Sequence, residues 1–285
     1  MLSGMARNTT PKAMALGAKI RSVREDADLS QRGAAKKLGI ANSTMSRIES
    51  GETPPTPEEL ADMLKTLGAT ETETEEILEL ASDTSGNAWL AVTLPEQRAQ
   101  LSALLDFEQM ATRITSVAPL LIPGLLQSSG YARAVMRAAG VPDDEIETRV
   151  AVRMGRRDIL TRAEPANLLA IIGENVLRRP IGGTRTLAEQ LDHLLKMAEL
   201  PNITVRVTPD DANWHPALYG PFLLLENSTT SLVHLENQRS GLFLNDDGDL
   251  AAYMEAVETT LSVALDAEQT SALIAREAER IRRSA

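Results

Sequence analysis

Apolar residues recur every three or four positions through most of the first eighty residues, and this period predicts helices. One stripe runs from Leu16 to Val23. Another, from Leu60 to Leu67, follows a capping box at Thr56–Glu59 and is closed by Gly68. The run Glu71–Ala81 predicts one more helix. We therefore expect the beginning of the chain to fold as a small all-helical bundle.

Between these helices, residues 29–51 (LSQRGAAKKLGIANSTMSRIESG) predict two short helices joined by a tight turn. Ser30 is a good N-cap for the first helix, and Gly39 supplies the left-handed residue that ends it. The small and apolar side chains fall where the two helices can share one core: Ala34, Ala35, Leu38, Met45 and Ile48. This spacing is typical of the helix-turn-helix unit, whose second helix enters the major groove of DNA.

The whole helical segment resembles the phage-repressor-like (Cro/XRE-type) DNA-binding domain. The resemblance rests on the order of the five helices, with the turn unit second and third, and on the run RIESGE at residues 47–52. It implies a five-helix bundle whose third helix reads double-stranded DNA. Since one such domain reads only a short half-site, we expect a homodimer bound to an inverted repeat.

Four side chains face the groove by their motif positions: Asn42, Ser43, Ser46 and Arg47. Arg47 suits bidentate recognition of guanine, and Asn42 suits adenine. The resemblance assigns phosphate anchoring to Gln31 and Thr44, because such contacts fix the register of the helix on the duplex. These residues form the predicted DNA-binding site.

Asn42 has two candidate roles. Ala41 precedes the second helix at a position where this family commonly has Ser or Thr, and alanine cannot accept a hydrogen bond from the first turn. The side chain of Asn42 therefore either caps the helix or reaches a base. The sequence leaves both alternatives open.

Charge separates the helical segment from the rest of the chain. Residues 1–68 carry ten Lys or Arg and eight Asp or Glu, whereas the remainder carries nineteen and thirty-two, in a chain of net charge −11. Positive charge therefore lies where phosphate contacts are expected. Arg32, Lys36 and Lys37 belong to it and either contact phosphates or form a solvated face. This asymmetry favours a regulator, and we expect a repressor.

Turn-forming residues gather between positions 82 and 95 (SDTSGNAWLAVTLP), where the sequence predicts a linker. We therefore expect a helix-turn-helix domain over residues 1–82 and a linker over 83–95. Residues 96–285 are expected to form a C-terminal regulatory domain.

After the predicted linker, helical patterns alternate with β-branched runs. Helices are expected over 96–114 and roughly 143–162, whereas Leu168–Ile172 and Ile203–Val207 predict strands. A strand pair over 222–235 is expected to turn at residues 227–230. The predicted fold class is α+β, with a five-helix helix-turn-helix domain followed by a mixed, helix-rich α/β domain.

The second domain resembles the C-terminal domain of unknown function that many XRE-type regulators of actinobacteria carry, the antitoxin-like or WhiJ-like regulators. The resemblance rests on LIPGLLQ at 121–127, ENVLRRPIGG at 174–183 and ELPNITV at 199–205. It implies a regulator encoded beside a small partner protein, which the second domain binds. No pattern in the residues themselves points to that partner.

One loop gathers aromatic and polar side chains in a chain that is poor in aromatics. Trp214, His215 and Tyr219 lie within residues 213–222 and either line a small-molecule pocket or pack their rings onto the sheet. The effector of the regulator is accordingly either the partner protein or a small molecule. A thermal shift caused by one and not the other would separate the two.

No motif in the sequence indicates catalysis, a metal or a cofactor. His193, His215 and His234 lack metal-ligand spacing, the chain has no cysteine, and neither a phosphate-binding glycine loop nor a nucleophile elbow occurs. The first residues lack the layout of a secretory signal, and residues 114–132 are interrupted by Pro and Gly. We therefore expect a non-enzymatic cytoplasmic protein without a membrane span.

Overall fold

The fold is α+β, as expected, in a computed structural model that describes residues 10–81, 88–227, 230–238 and 240–284. The helices are α1 (Pro11–Asp26), α2 (Gln31–Leu38), α3 (Asn42–Glu49), α4 (Pro57–Leu67), α5 (Glu71–Ala81), α6 (Leu94–Met110), α7 (Ser129–Ala138), α8 (Asp143–Gly155), α9 (Asp158–Thr161), α10 (Thr184–Ala198), α11 (Asp247–Val263) and α12 (Ala267–Ser284). The strands are β1 (Ala88–Ala91), β2 (Arg113–Ala118), β3 (Asn167–Gly173), β4 (Ile203–Thr208), β5 (Phe222–Glu226), β6 (Ser231–Asn237) and β7 (Ser240–Leu244).

The chain divides into two compact units. One contains the residues up to Phe107 together with Thr230–Leu250, and the other contains Glu108–Thr229 and the residues from Ala251 onward. The first unit therefore holds α1 to α5, β1, most of α6, β6 and β7. The second holds β2 to β5 with the helices α7 to α10, most of α11 and α12.

Local signals begin and end the helices of the first unit. The Thr10 hydroxyl accepts a hydrogen bond from the Ala13 amide at 3.2 Å and so caps α1. Thr56 and Glu59 form the expected capping box at the start of α4, which ends at Gly68 with a φ of 98°. The first five helices follow one another in the expected order.

The five helices close on one apolar core. Leu16, Ile20, Met45, Leu60 and Leu64 are each at most 1% exposed. These side chains come from α1, α3 and α4, so the third helix is held by burial on its inner side. Each such burial contributes about 1.5–3 kcal/mol to folding.

Three strands complete the first unit. β1 pairs antiparallel with β7, and β7 pairs antiparallel with β6, so that Phe243 lies between Trp89 and His234. The ring of Phe243 lies 5.7 Å from that of Trp89 and 5.4 Å from that of Phe107. Aromatic packing of this kind holds β1 against β7.

The interval 83–95, predicted as a linker, contains β1 and the first residues of α6, while residues 82–87 lie outside the described residues. Burial alternates along β1, with Trp89 and Ala91 inward. Pairing of β1 with β7 also joins residues 230–250 to the unit that holds the helical bundle. The sequence did not predict β1, because its four residues are flanked by turn-forming residues and are too few to show a clear alternation.

The second unit is built on a mixed sheet with the strand order β5-β2-β3-β4. β2, β3 and β4 run parallel, and β5 is antiparallel to β2. Helices supply the crossovers that parallel strands require. Val117, Ile171, Ile172 and Val207 are at most 1% exposed, as is typical of strands covered on both faces.

Two predicted helices differ from the structure. Ile114 belongs to β2 and not to the preceding helix, because α6 ends at Met110 and residues 114–117 are all buried. The helix expected over 143–162 is interrupted after Gly155 and gives α8 and α9. Residues 228 and 229, at the expected turn between β5 and β6, lie outside the described residues.

Candidate DNA interface

The first helix of the turn unit is fixed by its two ends. The Ser30 hydroxyl accepts a hydrogen bond from the Gly33 amide at 3.1 Å, and Gly39 ends α2 with a φ of 70°. Ala34 and Ala35 are buried, which allows α2 and α3 to approach closely. The sequence predicted each of these features.

The second helix begins without a side-chain cap. Ala41 is the N-cap residue of α3 and makes no capping hydrogen bond, and Asn42 is the first helical residue. The Asn42 side chain is exposed, and no hydrogen bond of that side chain is found within the described ranges. The side chain of Asn42 therefore does not cap α3. Its amide group is exposed to solvent.

One face of α3 is buried and the other is polar and exposed. Met45 and Ile48 are 0% and 6% exposed and anchor the helix in the core. The exposed residues are Asn42, Ser43, Ser46 and Arg47, and Thr44 is half-buried. Within the described part of the chain, none of these five side chains makes a hydrogen bond or an ion pair with another residue. The structure therefore brings together a set of donors and acceptors that are all free to bind a ligand.

Basic side chains on α2 extend this surface. Arg32 and Lys36 are exposed, and so is Lys37. Among the residues that the structure describes, these three cations have no carboxylate partner within 4.0 Å. They meet the requirement for phosphate contacts, which is an unpaired positive charge in solvent.

Gln31 is engaged elsewhere. Its side-chain nitrogen donates a hydrogen bond to Glu49 at 2.9 Å, across the turn unit. Arg24 of α1 donates to the same carboxylate, with its Nε 2.6 Å from Oε1 and a terminal nitrogen 3.3 Å from Oε2. The Gln31 amide thus joins the start of α2 to the end of α3.

Arg24 and Glu49 form an ion pair whose side chains are 8% and 6% exposed. The hydrogen bond to Glu49 is the main reason that the pKa of Arg24 is raised, so the guanidinium stays charged. Arg24 also donates to the Leu29 carbonyl at 2.7 Å, in the turn that precedes α2. Removing one member of such a buried pair costs about 3–5 kcal/mol. The pair therefore holds α1, α2 and α3 in one arrangement.

Two glycines let α1 lie directly against the end of α3. A Cβ atom on Gly17 would lie 2.5 Å from the Glu49 carbonyl oxygen, and one on Gly51 would lie 2.7 Å from the backbone of Ala13. Gly51 also has a φ of 78°, which favours glycine. The sequence patterns did not mark Arg24 or Gly17, and Gly51 was noted only as part of the run RIESGE at residues 47–52. Two signals in the sequence could have indicated these contacts. Gly17 interrupts an apolar helical stripe, and Glu49 is a carboxylate within a motif expected to face DNA.

Two family models match the chain. A helix-turn-helix domain matches residues 15–77, and a domain of unknown function, DUF5753, matches residues 101–276. The second match covers more than half of the chain. The chain belongs to the DUF5753 family. The helix-turn-helix match places α1 to α5 in a DNA-binding class and points to a non-enzymatic regulator, and no curated protein matches the chain.

The DUF5753 segment contains the second candidate site. Trp214 is 58% exposed and Tyr219 is 86% exposed, with their ring centroids 5.8 Å apart at an angle of 79°. His215 is 3% exposed, its Nδ1 has no hydrogen-bond partner within the described residues, and burial lowers its pKa. Leu218 is also 61% exposed. The two rings therefore form a pair on the surface, and only the imidazole faces inward.

Two other kinds of feature are absent from the described ranges. No group of three or more His, Cys, Asp or Glu there is arranged to hold a metal ion. Within the same ranges, no helix combines the length and the apolar character needed to cross a bilayer. His193 instead contacts Arg157 at 3.0 Å, and His234 lies 4.6 Å from the ring of Phe243.

Proposed function

We propose that this DUF5753 protein is a sequence-specific transcriptional regulator, and specifically a repressor, that reads DNA with the exposed face of α3. The observation that carries the proposal is the set of free polar side chains on a helix whose other face is buried. Such a set has no structural role within the described chain. It matches the surface that a helix-turn-helix unit presents to the major groove.

Each side chain has a proposed role. Arg47 donates two hydrogen bonds to a guanine, and Asn42 recognises an adenine, because these pairs match the edges of the bases. Ser43 and Ser46 contact neighbouring base edges. Since the Gln31 amide is bound to Glu49, phosphate contacts fall mainly to three other residues: Thr44, Arg32 and Lys36.

We propose further that the protein acts as a homodimer on an inverted repeat, because one α3 helix reads only a half-site. The pairing of a helix-turn-helix domain with a DUF5753 domain supports assignment to the XRE-type, WhiJ-like regulators of actinobacteria. Its site of action is then the cytoplasm, where the chromosome lies.

The DUF5753 segment is proposed to receive the signal from a small partner protein. Exposed aromatic and apolar side chains support this role, since Trp214, Leu218 and Tyr219 are each more than half exposed. Trp and Tyr are the residues that most often dominate protein interfaces. A partner that covers this surface would bury about 150–250 Å² for each aromatic ring.

Genomic footprinting of the full chain, repeated with Arg47→Ala, tests the DNA proposal. We expect discrete inverted repeats that are lost in the variant. Arg149→Ala is the matched control, because Arg149 is an exposed arginine on α8 paired with Glu145, and its footprints should remain. Discrete sites that survive Arg47→Ala would contradict the assignment of Arg47. Absence of any enriched site would contradict direct DNA recognition.

Affinity for the small protein encoded beside the regulator tests the partner proposal. Tyr219→Ala should weaken the complex at least tenfold in calorimetry. Val152→Ala, at a residue of the same unit that is 53% exposed, should leave affinity unchanged. Equal affinity in both variants would show that the surface at Trp214 and Tyr219 is not the contact.

A further inference from the structure

A cavity of about 540 Å³ opens in the first unit between α1, α5, β1 and α6. Its volume lies within the range of about 300–1,000 Å³ that is typical of small-molecule sites. The cavity is separate from the exposed face of α3 and from Trp214 and Tyr219. The DNA proposal therefore leaves it without a role.

The cavity has an apolar side. Ile77 and Leu80 of α5 and Trp89 of β1 line it, and they are 4%, 6% and 5% exposed. The ring of Trp89 is held in place by Phe243, with the centroids 5.7 Å apart. A flat apolar ligand would contact side chains that are already ordered, which lowers the entropic cost of binding.

The cavity also has a charged side, on which some groups are engaged. Lys19 donates a hydrogen bond to the Ser102 hydroxyl at 2.7 Å. Glu96 accepts hydrogen bonds from the Thr93 and Val92 amides and from the Thr93 hydroxyl. Those hydrogen bonds lower the pKa of Glu96, first among them the one from the Thr93 backbone, and the charge of Lys12 adds to the effect.

Two cations on the lining remain unpaired. Lys12 of α1 is half-buried and Arg98 of α6 is exposed, and neither makes a hydrogen bond or ion pair within the described residues. The carboxylates of Glu76 and Glu79, also on the lining, belong to exposed residues. Within the described residues, the unpaired charged groups on the lining are therefore the two cations and the exposed carboxylate of Glu76, and the cations are in excess beside the apolar floor.

We propose that this cavity binds a small aromatic anion. The ring lies against Trp89, Ile77 and Leu80, and the anionic group accepts hydrogen bonds from Lys12 and Arg98. Charge-assisted hydrogen bonds of this kind contribute about 1.5–3 kcal/mol each. The ligand class is thus an aromatic carboxylate, sulfonate or phosphate.

Binding in this cavity would act on the DNA-reading helix through α1. Lys12 and Lys19 of α1 line the cavity. On the same helix, Gly17 lies against the backbone of Glu49 at the end of α3, and Ala13 lies against Gly51. A ligand that favours one position of α1 therefore favours one position of α3. This regulatory consequence rests on the proposed DNA function, but binding in the cavity does not.

The first test uses 1-anilinonaphthalene-8-sulfonate, an aromatic anion that accepts energy from tryptophan. The chain has two tryptophans, so the full chain with Trp214→Phe reports on Trp89 alone. We expect saturable energy transfer from Trp89 to the probe. In the Trp89→Phe variant, which retains Trp214, we expect no saturable energy transfer over the same range of probe concentration. No energy transfer in the Trp214→Phe protein would overturn the proposal.

Charge variants of the Trp214→Phe protein test the recognition of the anion. Lys12→Met and Arg98→Met should each weaken probe binding about tenfold, whereas Lys65→Met, at an exposed residue of α4, should leave it unchanged. The two residues lie on different helices, so a folding defect in one variant leaves the other informative. If both variants bind the probe as strongly as the Trp214→Phe protein does, the cavity is not an anion site.

DNA affinity in the presence of the probe separates the two proposals. A change in operator affinity that Lys12→Met removes would support coupling through α1. Unchanged operator affinity with intact probe binding would overturn the coupling and retain the site. A protein that binds the probe but no DNA would refute the proposed function without affecting the cavity.

Discussion

Two segments, α2–α3 in the first unit and α8–α9 in the second, each carry four Lys or Arg but have different surroundings. Arg32, Lys36 and Arg47 on the first segment are exposed, and none has an ion-pair partner within the described residues. Every arginine on the second segment is engaged by a neighbour. The number of cations is the same, but the second segment also carries five Asp or Glu where the first carries one, and the contacts of the cations differ.

The contacts of the second segment are specific. Arg149 pairs with Glu145 at 2.6 Å, and Arg153 donates to the Gln127 side chain at 2.8 Å. Arg156 meets the carboxylate of Glu108 through two nitrogens, and the side chain of Glu108 is 2% exposed. Arg157 contacts His193 and Met154, and burial lowers its pKa.

The two segments differ in whether their cations are free, and an unpaired cation in solvent is the kind that can bind phosphate. A guanidinium that already binds a carboxylate must lose that partner before it can bind phosphate, and little net energy remains. A count of Lys and Arg alone would have marked both segments as candidates.

Glu108→Gln should have the largest effect, because it removes the charge that Arg156 is paired with in the interior. We expect the free energy of unfolding to fall by about 3–5 kcal/mol, measured by urea titration. Glu145→Gln, which breaks an exposed pair, should cost less than about 1 kcal/mol. Equal losses in the two variants would show that Arg156 is no more dependent on its partner than Arg149.

Arg47→Lys should reduce discrimination at one base pair of the operator by about 10–100-fold, since lysine keeps the charge but not the bidentate fork. Affinity for non-specific DNA should be nearly unchanged. Fluorescence anisotropy on the operator and on single-base variants measures both quantities. A uniform loss over all sequences would instead identify Arg47 as a phosphate contact.

Arg32→Ala and Lys36→Ala should each weaken DNA binding uniformly over sequences and lower the slope of log affinity against log salt by about 1. The matched control is Arg185→Ala, because Arg185 is exposed on α10 and paired with Glu189. Its slope should equal that of the unmodified protein. If neither variant changes the slope, the charges of Arg32 and Lys36 belong to a solvated face.

His193 should give the smallest effect, through pH. Burial, followed by the charges of Arg157 and Lys196, lowers the pKa of His193 below its ordinary value of 6.5. The unfolded chain then binds the proton more tightly, so the free energy of unfolding should fall as the pH drops below about 6.5. His193→Gln should remove up to about one proton from this dependence in urea titrations between about pH 5 and 7. An unchanged slope would place the dependence elsewhere, with His215→Gln as the comparison variant.

The helical bundle was predictable because its signals are local. Ser30, Gly39, Thr56 and Gly68 begin or end helices through contacts with residues three or four positions away. The same signals located α3 and its exposed face. The helix-turn-helix match over residues 15–77 bears out the DNA-binding class, while the base and phosphate roles of individual residues remain predictions.

Features that depend on distant residues were not predictable from the sequence. Ile114 continued a helical period, yet pairing with β3 and β5 places it in a strand. The exposure of Trp214 and Tyr219 depends on how the loop folds and not on its composition. Likewise, Arg24 reaches Glu49 across twenty-five positions, and no local pattern marks one as the partner of the other.

The uncapped start of α3 has a consequence for stability. In the described chain, the amides of Asn42 and Ser43 have no protein acceptor: Ala41 lacks the side-chain oxygen that could accept from Ser43, and its carbonyl accepts from the amides of Thr44 and Met45. Helix α3 in the free protein is therefore hydrogen-bonded incompletely, and these amides should exchange readily with solvent deuterium. A phosphate at that end would complete the first turn. The local instability of the unliganded helix thus becomes part of the free energy released on binding.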